Sequence, residues 1–228
     1  MKLPNLILAL LLLALVFSCN KIDNYPAPNA GITGTVIDNT TNSGIQTEQP
    51  NGFQISLIEF GYNPVIPINF DGKADGSFEN TQLFADKYNV IPINGPFLSS
   101  DTVAVDIKGL SKVNFTVTPF MSIDASTPLV VSNNVIVNYI LSKPLQISYN
   151  IVKSMTIASS LPTVSSSVND FNFTHNLSGN TYQQIASMHF SDTLKNLPSG
   201  TFYIRVGGQT DNPQNKFNYS KVFTVTIQ

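Results

Sequence analysis

The sequence predicts an all-β protein made of two β-sandwich domains in series. Val, Ile and Thr number 18, 21 and 19 among the 228 residues, whereas Ala, Glu, Lys and Arg together number 25, and β-branched side chains favour strands over helices. Hydrophobic and polar residues alternate in several short segments, and 25 Asn, 14 Pro and 13 Gly supply turn formers between them. These patterns exclude a helical bundle, a coiled coil and a parallel α/β enzyme.

Charge and hydrophobicity narrow the class of partner. Charged residues make up 11% of the chain, the formal net charge is −2, and Arg205 is the only arginine in the sequence. Since phosphates and bases are recognised mainly by clustered arginine and lysine side chains, no nucleic-acid partner is expected. With 42% hydrophobic residues, the chain can bury enough surface to fold, which excludes an intrinsically disordered protein.

The first eighteen residues have the pattern of an export signal. Lys2 precedes an unbroken run of twelve apolar residues, Leu6 to Phe17. A run of this length suits the core of a signal peptide and is too short to span a bilayer. We therefore predict a signal peptide over residues 1–18.

The end of this run carries the predicted membrane anchor. The segment Leu15-Val16-Phe17-Ser18-Cys19 resembles the lipobox of bacterial lipoprotein precursors, and the resemblance implies cleavage before Cys19 and lipidation of its thiol. Two or three acyl chains give stable membrane attachment, and we interpret residues 19–30 as the lipidated tether. Cys19 is the only cysteine in the sequence, so no disulfide within the chain is possible. The alternative is an ordinary secretory signal in which the cysteine is incidental.

Residues 31–119 are predicted to form the first sandwich. Apolar and polar side chains alternate over Phe53–Leu57, Thr102–Ile107 and Val113–Thr118, as expected of strands with one buried face. The last two segments are joined by Lys108-Gly109-Leu110-Ser111. A short connection that contains glycine predicts an antiparallel hairpin between them.

Three short segments of this half resemble a known sandwich family. Gly34–Asp38 is similar to the opening strand of the carboxypeptidase regulatory-like, or prealbumin-like, domain, Asp75–Phe78 to its Asp-Gly turn, and Leu83–Val90 to its closing strand with a tyrosine. Lys87 stands where the family usually has glycine. In that family the domain is a structural spacer, which implies the same role here.

Residues 120–228 are predicted to form the second sandwich. Val135–Leu141 alternates after an Asn133-Asn134 pair that suits a hairpin turn, and Gln146–Ile157 gives one or two further strands. The segment Leu194–Val206 resembles the corner of a fibronectin type III, or immunoglobulin-like, domain. The resemblance implies that Tyr203 is its tyrosine corner, with a buried ring and a hydroxyl bonded back to the corner backbone. Tyr219–Ile227 is then the last strand.

No catalytic or metal-binding pattern is present in the sequence. The two histidines, His175 and His189, are fourteen positions apart and outside zinc-ligand spacing. There is no Gly-x-Ser-x-Gly nucleophile motif. Only three Glu accompany eleven Asp, so the chain is poor in acids, and a pair of carboxylates of the glycosidase kind stays open as an alternative. In Asp71–Gly76, Lys73 takes a position where calcium would need an oxygen ligand, so a turn is favoured. We expect a protein that is not an enzyme and needs no metal or cofactor.

Two polar loops are the candidate binding surfaces. Gly207–Asn218 is predicted to be a long loop between the last two strands, and its candidate ligand-binding residues are Asp211, Asn212, Asn215 and Phe217. Hydrogen-bonding side chains beside one aromatic ring could hold a sugar. Gln46–Asn51, with Glu48, is the second loop. The alternatives are a solvated loop with Phe217 packed beneath it and simple turn chemistry at Glu48.

The order of these parts resembles one family. A lipobox, a tether and two sandwiches, with the segments Gln46–Phe53, Arg205–Gly207 and Asn218–Val222, are similar to a set of Bacteroidota outer-membrane lipoproteins of unknown function. The resemblance implies an outer-membrane location on either face and a genomic neighbourhood of SusC-like and SusD-like glycan-uptake components. It implies an accessory binding or spacer protein that contacts a glycan or those components. The alternative is an adhesion or assembly module whose strand edges pair with another envelope protein.

Overall fold

The computed structural model describes residues 26–61 and 63–228. The predicted signal peptide, Cys19 and most of the predicted tether lie outside the described residues. Within them the chain forms strands joined by short connections, and α1 (Tyr182–Ala186) is the one helix. No helix in the described part of the chain is long and apolar enough to cross a membrane. The prediction of an all-β protein with two tandem sandwiches is confirmed.

The first sandwich is built from nine strands in two sheets. In one sheet β1 is central, with β5 and β2 antiparallel along one edge and β8 and β9 parallel to it. The other sheet has the order β4-β3-β6-β7 and is antiparallel throughout. The strands are β1 (Ala30–Asp38), β2 (Ser43–Gly44), β3 (Gln54–Glu59), β4 (Ile68–Asp71), β5 (Ser77–Leu83), β6 (Asp86–Ile93), β7 (Val103–Ile107), β8 (Leu110–Lys112) and β9 (Phe115–Val117).

The core of this sandwich follows the two-residue period of its strands. Ile32 and Val36 of β1 and Ile55 and Leu57 of β3 are all fully buried in one cluster. They meet there because every second side chain of a strand points to the same face. The predicted turn at Asp75 is also present, since its carboxylate accepts hydrogen bonds from the Ser77 backbone nitrogen at 3.0 Å and hydroxyl at 2.7 Å.

The predicted hairpin across Lys108–Ser111 is wrong. β7 pairs with β6, whereas β8 and β9 pair in parallel with β1 in the other sheet. The chain changes sheets at Gly109, whose φ of +63° suits glycine, and the Gly31 backbone nitrogen donates to the Gly109 carbonyl at 2.8 Å. Alternation in a sequence specifies which face of a strand is buried, but it does not specify the neighbouring strand.

The second sandwich contains nine further strands. One sheet has β12 at its centre, with β10 and β11 along one edge and β15 along the other. The second sheet has the order β14-β13-β16, with β17 and β18 both on the far edge of β16. The strands are β10 (Ser122–Ala125), β11 (Leu129–Val131), β12 (Asn134–Ser142), β13 (Ile151–Ser159), β14 (Phe171–Asn176), β15 (Phe190–Leu194), β16 (Gly200–Thr210), β17 (Phe217–Tyr219) and β18 (Phe223–Ile227).

The second sandwich contains the predicted hairpin, but its predicted long loop is shorter than expected. The predicted hairpin before Val135 is present, and its two loop residues are Ser132 and Asn133. The predicted long loop Gly207–Asn218 is shorter in the structure, because β16 continues to Thr210 and β17 begins at Phe217. The loop therefore covers residues 211–216, and the expected last strand is divided into β17 and β18.

A tyrosine-corner contact occurs in the first sandwich. Tyr203 is half-buried on β16, and its hydroxyl makes no hydrogen bond within the described residues. Tyr88, by contrast, is buried, and its hydroxyl donates to the Phe84 carbonyl at 3.0 Å, four residues upstream. The bond back to the preceding corner that was expected of Tyr203 is thus made by Tyr88.

The first sandwich separates Ala30, where β1 begins, from the second domain. β1 begins at Ala30 and ends at Asp38, which corresponds to about 30 Å of extended chain. Its last residues approach the second domain, where the Thr40 hydroxyl lies 3.2 Å from the Ser122 hydroxyl. The chain therefore enters at one end of the first sandwich and meets the second sandwich at the other.

The interior of the second sandwich contains a buried carboxylate. Asp192 is 1% exposed, and its Oδ2 accepts hydrogen bonds from the Thr156 hydroxyl at 2.6 Å and the Tyr139 hydroxyl at 3.1 Å. Its Oδ1 lies 2.7 Å from His175 Nε2. Burial raises the pKa of the Tyr139 phenol, which keeps it a donor. These contacts offset the cost of removing a carboxylate from water.

Replacing this carboxylate should destabilise the protein. Asp192→Ala leaves buried hydroxyl donors without an acceptor, so we expect the free energy of unfolding to fall by about 3 kcal/mol. Urea denaturation followed by circular dichroism measures the change. Asp101→Ala, at an exposed position, is the matched control and should stay within about 0.5 kcal/mol of the parent chain. Equal stability of the two variants would contradict a stabilising role for the network.

Candidate functional site

A buried guanidinium connects the two sandwiches. Arg205 lies on β16 and is 1% exposed. Its Nη1 donates to the Thr47 carbonyl of the first sandwich at 2.7 Å, and its Nε donates to the Ser220 carbonyl at 2.9 Å. The guanidinium carbon also lies 4.3 Å from the centre of the Tyr219 ring, within cation–π distance. The only arginine of the sequence therefore joins segments of both domains.

Glu48 supplies the compensating negative charge. Its Oε2 accepts hydrogen bonds from the Tyr219 hydroxyl at 3.1 Å and the Ser166 hydroxyl at 3.3 Å. Burial lowers the pKa of Arg205 to about 10, and the charges of Tyr219 and Glu48 act in the opposite direction. Burial also raises the pKa of the Tyr219 phenol. The guanidinium remains charged at neutral pH, and the loop that holds Glu48 is fastened to the second sandwich.

Local sequence sets the shape of the loop around Glu48. A side chain at Gly52 would place its Cβ 2.2 Å from the Glu48 carbonyl oxygen, so only glycine allows this close approach. Asn51 has a φ of +68°, a left-handed conformation in which asparagine is enriched. The turn directs Asn51 outward, where it is exposed.

The facing loop, residues 211–216, is held by one buried amide. Asn212 is 2% exposed; its Oδ1 accepts from the Lys216 backbone nitrogen at 3.0 Å, and its Nδ2 donates to the Lys216 carbonyl at 2.9 Å. The Gln209 side chain donates to the Asn215 carbonyl at 2.9 Å. The Lys216 ammonium in turn donates to the Asn51 carbonyl. The two loops that the sequence predicts as binding surfaces are therefore in direct contact.

A cleft lies where these loops meet the end of the first sandwich. It has a volume of about 320 Å³ and is lined by Asn51, Gln54, Asn94, Gln214 and Lys216. A second pocket of about 290 Å³ shares Asn94 and Gln214 with it. The other residues that line this second pocket are Pro92, Ile93, Gly95, Phe97, Leu98, Ser99, Phe120, Tyr149 and Pro213. We call the two together the amide cleft; each part is close to the smallest volume usual for small-ligand sites.

The amide cleft is polar and almost uncharged. Asn94 Nδ2 donates to Gln54 Oε1 at 3.1 Å, and Gln54 Nε2 donates to Asp71 Oδ1 at 3.0 Å. The side-chain amides of Asn51 and Gln214 make no hydrogen bond within the described residues, and both residues are exposed. Each amide offers one acceptor and two donors. Such a lining suits a neutral ligand with many hydroxyl groups better than it suits an anion or a metal ion.

Apolar surface adjoins these amides. Phe120 and Tyr149 stand edge to face with their ring centres 5.0 Å apart. Phe120 is buried, whereas Tyr149 is half-buried, so the Tyr149 ring is the aromatic surface available at this end of the cleft. An aromatic ring can pack against the apolar C–H groups of a sugar, while neighbouring amide groups form hydrogen bonds with its hydroxyl groups.

Another groove at the domain junction is lined in part by charged side chains, Asp38, Asp124 and Lys221. It has a volume of about 290 Å³ and includes Asp38 and Ser122 in its lining. The Asp38 carboxylate already accepts from the Thr40 backbone nitrogen at 2.7 Å and hydroxyl at 2.6 Å. Among the described residues no cluster of three or more His, Cys, Asp or Glu could hold a metal ion. We therefore take the amide cleft as the candidate site.

The five binding residues predicted from sequence make internal contacts. Glu48 and Asn212 hold the two loops, as described above, and the Asp211 carboxylate accepts from the Asn150 backbone and side-chain nitrogens at 2.7 and 3.0 Å. Asn215 has a φ of +54° in the turn, and Phe217 stacks on Tyr219 with ring centres 5.9 Å apart. The residues that line the cleft from the same loops are instead Asn51, Gln214 and Lys216.

Gln54 and Asn94 were not identified from sequence. Each lies at the end of a strand of the first sandwich, far along the chain from Gln214, so no local spacing connects them. Asn94 has a φ of +55°, and a polar residue with this conformation directly after an apolar strand is the one sequence signal that could have pointed to it.

Comparisons with known proteins agree with this architecture. Residues 30–118 match the family model described as the N-terminal domain of a protein of unknown function, DUF3823. A DUF3823 family protein from Bacteroides uniformis is 22% identical, with a TM-score of 0.77 over 89% of this chain and 100% of that one. A DUF3823 family protein from Parabacteroides merdae is 19% identical, with a TM-score of 0.74 over 88% and 100%.

One more solved structure has the same fold. Another Bacteroides uniformis protein, whose name proposes carbohydrate binding, is 20% identical, with a TM-score of 0.74 over 88% of this chain and 100% of that one. These structural likenesses establish a shared fold. No curated protein matches this chain. The family match confirms, for residues 30–118, the predicted resemblance to a family of unknown function.

Removing the guanidinium should loosen the junction. Arg205→Met leaves the Thr47 and Ser220 carbonyls without their donor and Glu48 without its nearest buried cation, so we expect about 3 kcal/mol less stability. We also expect faster cleavage between the domains, near Thr118–Phe120, in limited proteolysis. Lys195→Met, at an exposed position, is the control. An Arg205→Met protein with unchanged cleavage would show that the junction does not depend on this side chain.

Proposed function

We propose that this chain, whose residues 30–118 match the N-terminal domain of the DUF3823 family, is a lipid-anchored envelope protein that binds a glycan and catalyses no reaction. In this proposal it serves as an accessory component of an outer-membrane glycan-uptake system. The observation that carries the proposal is the amide cleft, in which two loops from different domains bring Asn51 and Gln214 together beside Asn94. The proposed carbohydrate binding of a protein with the same fold supports it.

The chemistry of the cleft favours a neutral sugar. Hydroxyl groups both donate and accept, and so do the four amides of the lining. The only charged side chain in this part of the cleft is Lys216, and its ammonium already donates to the Asn51 carbonyl. A phosphate or nucleotide would meet no arginine there, because the one arginine of the sequence is buried at the junction.

Rigid loops also suit binding. The Asn212 side chain bridges its loop, and the Arg205 guanidinium fastens the opposite loop through Thr47. Groups that are already held in place lose little conformational entropy when a ligand arrives, which leaves more of the interaction energy for affinity.

His175, Asp192 and Ser154 are the side chains most similar to a catalytic triad, and the burial of Asp192 and Ser154 supports a protein without enzymatic activity. His175 and Asp192 are within hydrogen-bond distance, but Asp192 is buried and its second oxygen is occupied by Thr156 and Tyr139. Ser154, which pairs with His175 across β13 and β14, is completely buried, and its hydroxyl is bonded to Tyr139. The His175 side chain is 30% exposed, but the carboxylate and this hydroxyl are buried, so we assign the group a structural role.

The first sandwich serves as a spacer in this proposal. The chain enters at Ala30, and the amide cleft lies at the opposite end, beside Gln54 at the start of β3 and Asn94 after the end of β6. A lipid on Cys19 would therefore place the cleft away from the bilayer by roughly the length of β1, about 30 Å.

Glycan binding by the cleft can be tested with one side chain. Gln214→Ala removes an exposed amide that makes no internal hydrogen bond, so the fold should be unaffected. If the amide binds a sugar hydroxyl, the affinity should fall about tenfold, which corresponds to about 1.4 kcal/mol. Affinity electrophoresis against a panel of neutral polysaccharides, followed by calorimetry on those that bind, measures this change.

The control for this experiment is Gln183→Ala. Gln183 is exposed on α1 in the second sandwich and lines neither part of the amide cleft. It should bind as the parent chain does. Equal loss of affinity in both variants would place binding elsewhere, and no affinity for any polysaccharide in the panel would overturn the proposed function.

The anchor is tested separately in the native host. Cys19→Ser removes the only thiol of the chain, so the precursor cannot accept the lipid and should move from the membrane to the soluble fraction. Labelling with a radioactive fatty acid should mark the parent chain and not the variant. An unlabelled parent, or a variant that stays with the membrane, would contradict lipidation at Cys19.

A further inference from the structure

Five exposed apolar side chains lie at the N-terminal end of the first sandwich. Phe60 is 41% exposed and Phe84 46%, each in a connection between strands, and Leu110, the first residue of β8, is 61% exposed. Val65 and Ile66, at 58% and 75%, extend from the loop between β3 and β4. We call these five residues the apolar rim.

The pairing of the strands places the rim around the point where the chain enters. Ala30 pairs with Leu83, the residue before Phe84, and Gly31 pairs with Leu110. The Phe60 backbone nitrogen donates to the Lys87 carbonyl at 3.0 Å, which brings the β3–β4 loop to the same end. The tips of three connections therefore surround the start of β1.

The rim is held in position by the fold. The Tyr88 hydroxyl bonds the Phe84 carbonyl at 3.0 Å, and the Lys87 ammonium lies 4.9 Å above the Phe60 ring. Lys108, beside Leu110, forms an ion pair with Asp106 at 2.7 Å. The charges at this end are of both signs and partly paired, so the exposed surface that distinguishes it is apolar.

The occupant of this surface follows from where the chain leads. Pro26–Asn29 are exposed at this end, and Ala30 is eleven positions after Cys19. An extended segment of that length spans at most about 40 Å, so a lipid on Cys19 keeps the rim close to the bilayer. The second sandwich, with the amide cleft, is at the opposite end and does not compete for this surface.

We propose that the apolar rim inserts into the interfacial layer of the lipid bilayer beside the anchor, so that the first sandwich stands upright on the membrane. Aromatic and aliphatic side chains on separate segments of the chain can enter the headgroup region independently, and aromatic side chains are favoured there. This proposal rests on the proposed anchor at Cys19. It adds an orientation: the long direction of β1 runs away from the bilayer, and the cleft faces outward.

The composition of the chain provides a direct reporter. The sequence contains no tryptophan and a single cysteine, so Phe84→Trp or Leu110→Trp introduces one fluorophore, and Cys19 is the one site for thiol coupling. The chain from Cys19 onward keeps every described residue. Coupled through Cys19 to a maleimide lipid in phosphatidylcholine vesicles, it is tethered whether or not the cell lipidates it. The experiment therefore tests whether the rim enters the bilayer independently of whether the cell attaches a lipid to Cys19.

The rim reporters should respond to the bilayer. We expect the emission of Phe84→Trp and Leu110→Trp to shift to shorter wavelength on tethering and to lose intensity when the vesicles contain brominated acyl chains. Phe173→Trp is the matched control, since Phe173 is 44% exposed on β14 of the second sandwich, and its emission should not change. Because the rim is apolar, the response should also persist in high salt.

Two results would overturn this inference. Solvent-like emission of both rim reporters on tethered protein, without quenching by brominated lipid, would show that the rim stays in water. A shift that appears without vesicles and grows with protein concentration would show that a second copy of the chain covers the rim instead.

Discussion

The arrangement of both domains depends on one buried cation. Arg205 reaches from the centre of β16 to the carbonyl of Thr47 in the other sandwich and lies against the ring of Tyr219. A guanidinium out of water needs partners for its donors and its charge, and here each domain supplies an acceptor: Thr47 for Nη1 and Ser220 for Nε. Among the described residues Nη2 is buried without a hydrogen-bond partner, and the Glu48 carboxylate lies next to the Tyr219 ring through the Tyr219 hydroxyl. The requirement to solvate this charge internally fixes the loop from Gln46 to Gly52, and with it one wall of the amide cleft.

Polar side chains in the described part of the chain fall into two groups, according to whether the protein itself supplies their hydrogen-bond partners. Asp192, Asn212 and Glu48 have their hydrogen bonds satisfied by the protein and hold loops or strands in place. The exposed amides of Asn51 and Gln214 have no such internal partners in the described part of the chain. A side chain whose hydrogen bonds are all made within the protein holds the fold in place, whereas an exposed amide without internal partners can form hydrogen bonds with a ligand. This distinction is the reason that the amide cleft, and not the residues with the most conspicuous chemistry, is the candidate site.

The two ends of the first sandwich have different surfaces. Apolar tips surround the entry of the chain at Ala30, while amides and a half-buried tyrosine face the second domain about 30 Å away along β1. A spacer with no chemistry of its own would need neither. If the chain is anchored at Cys19, this difference between the two ends gives the anchored domain a defined orientation, because the end near the lipid carries the exposed apolar side chains. With the anchor and the inserted rim proposed above, the cleft would face outward, since it lies at the opposite end of the first sandwich.

Local patterns in the sequence determined the fold class, most strand positions and the turns, because alternation and turn residues act within a few positions of themselves. Ile55, Leu57, Val135 and Val137 were predicted to be buried and are buried. The two candidate loops were also identified, but not the residues that line the cleft. Only the tertiary structure decided that β8 and β9 pair with β1 and that Asn94 and Gln214 line one cleft. It also decided that Glu48 accepts a hydrogen bond from Tyr219, whose ring lies against Arg205. Contacts between residues 79 or more positions apart along the chain are chosen by packing and by the internal solvation of charge, and neither leaves a mark on the local sequence.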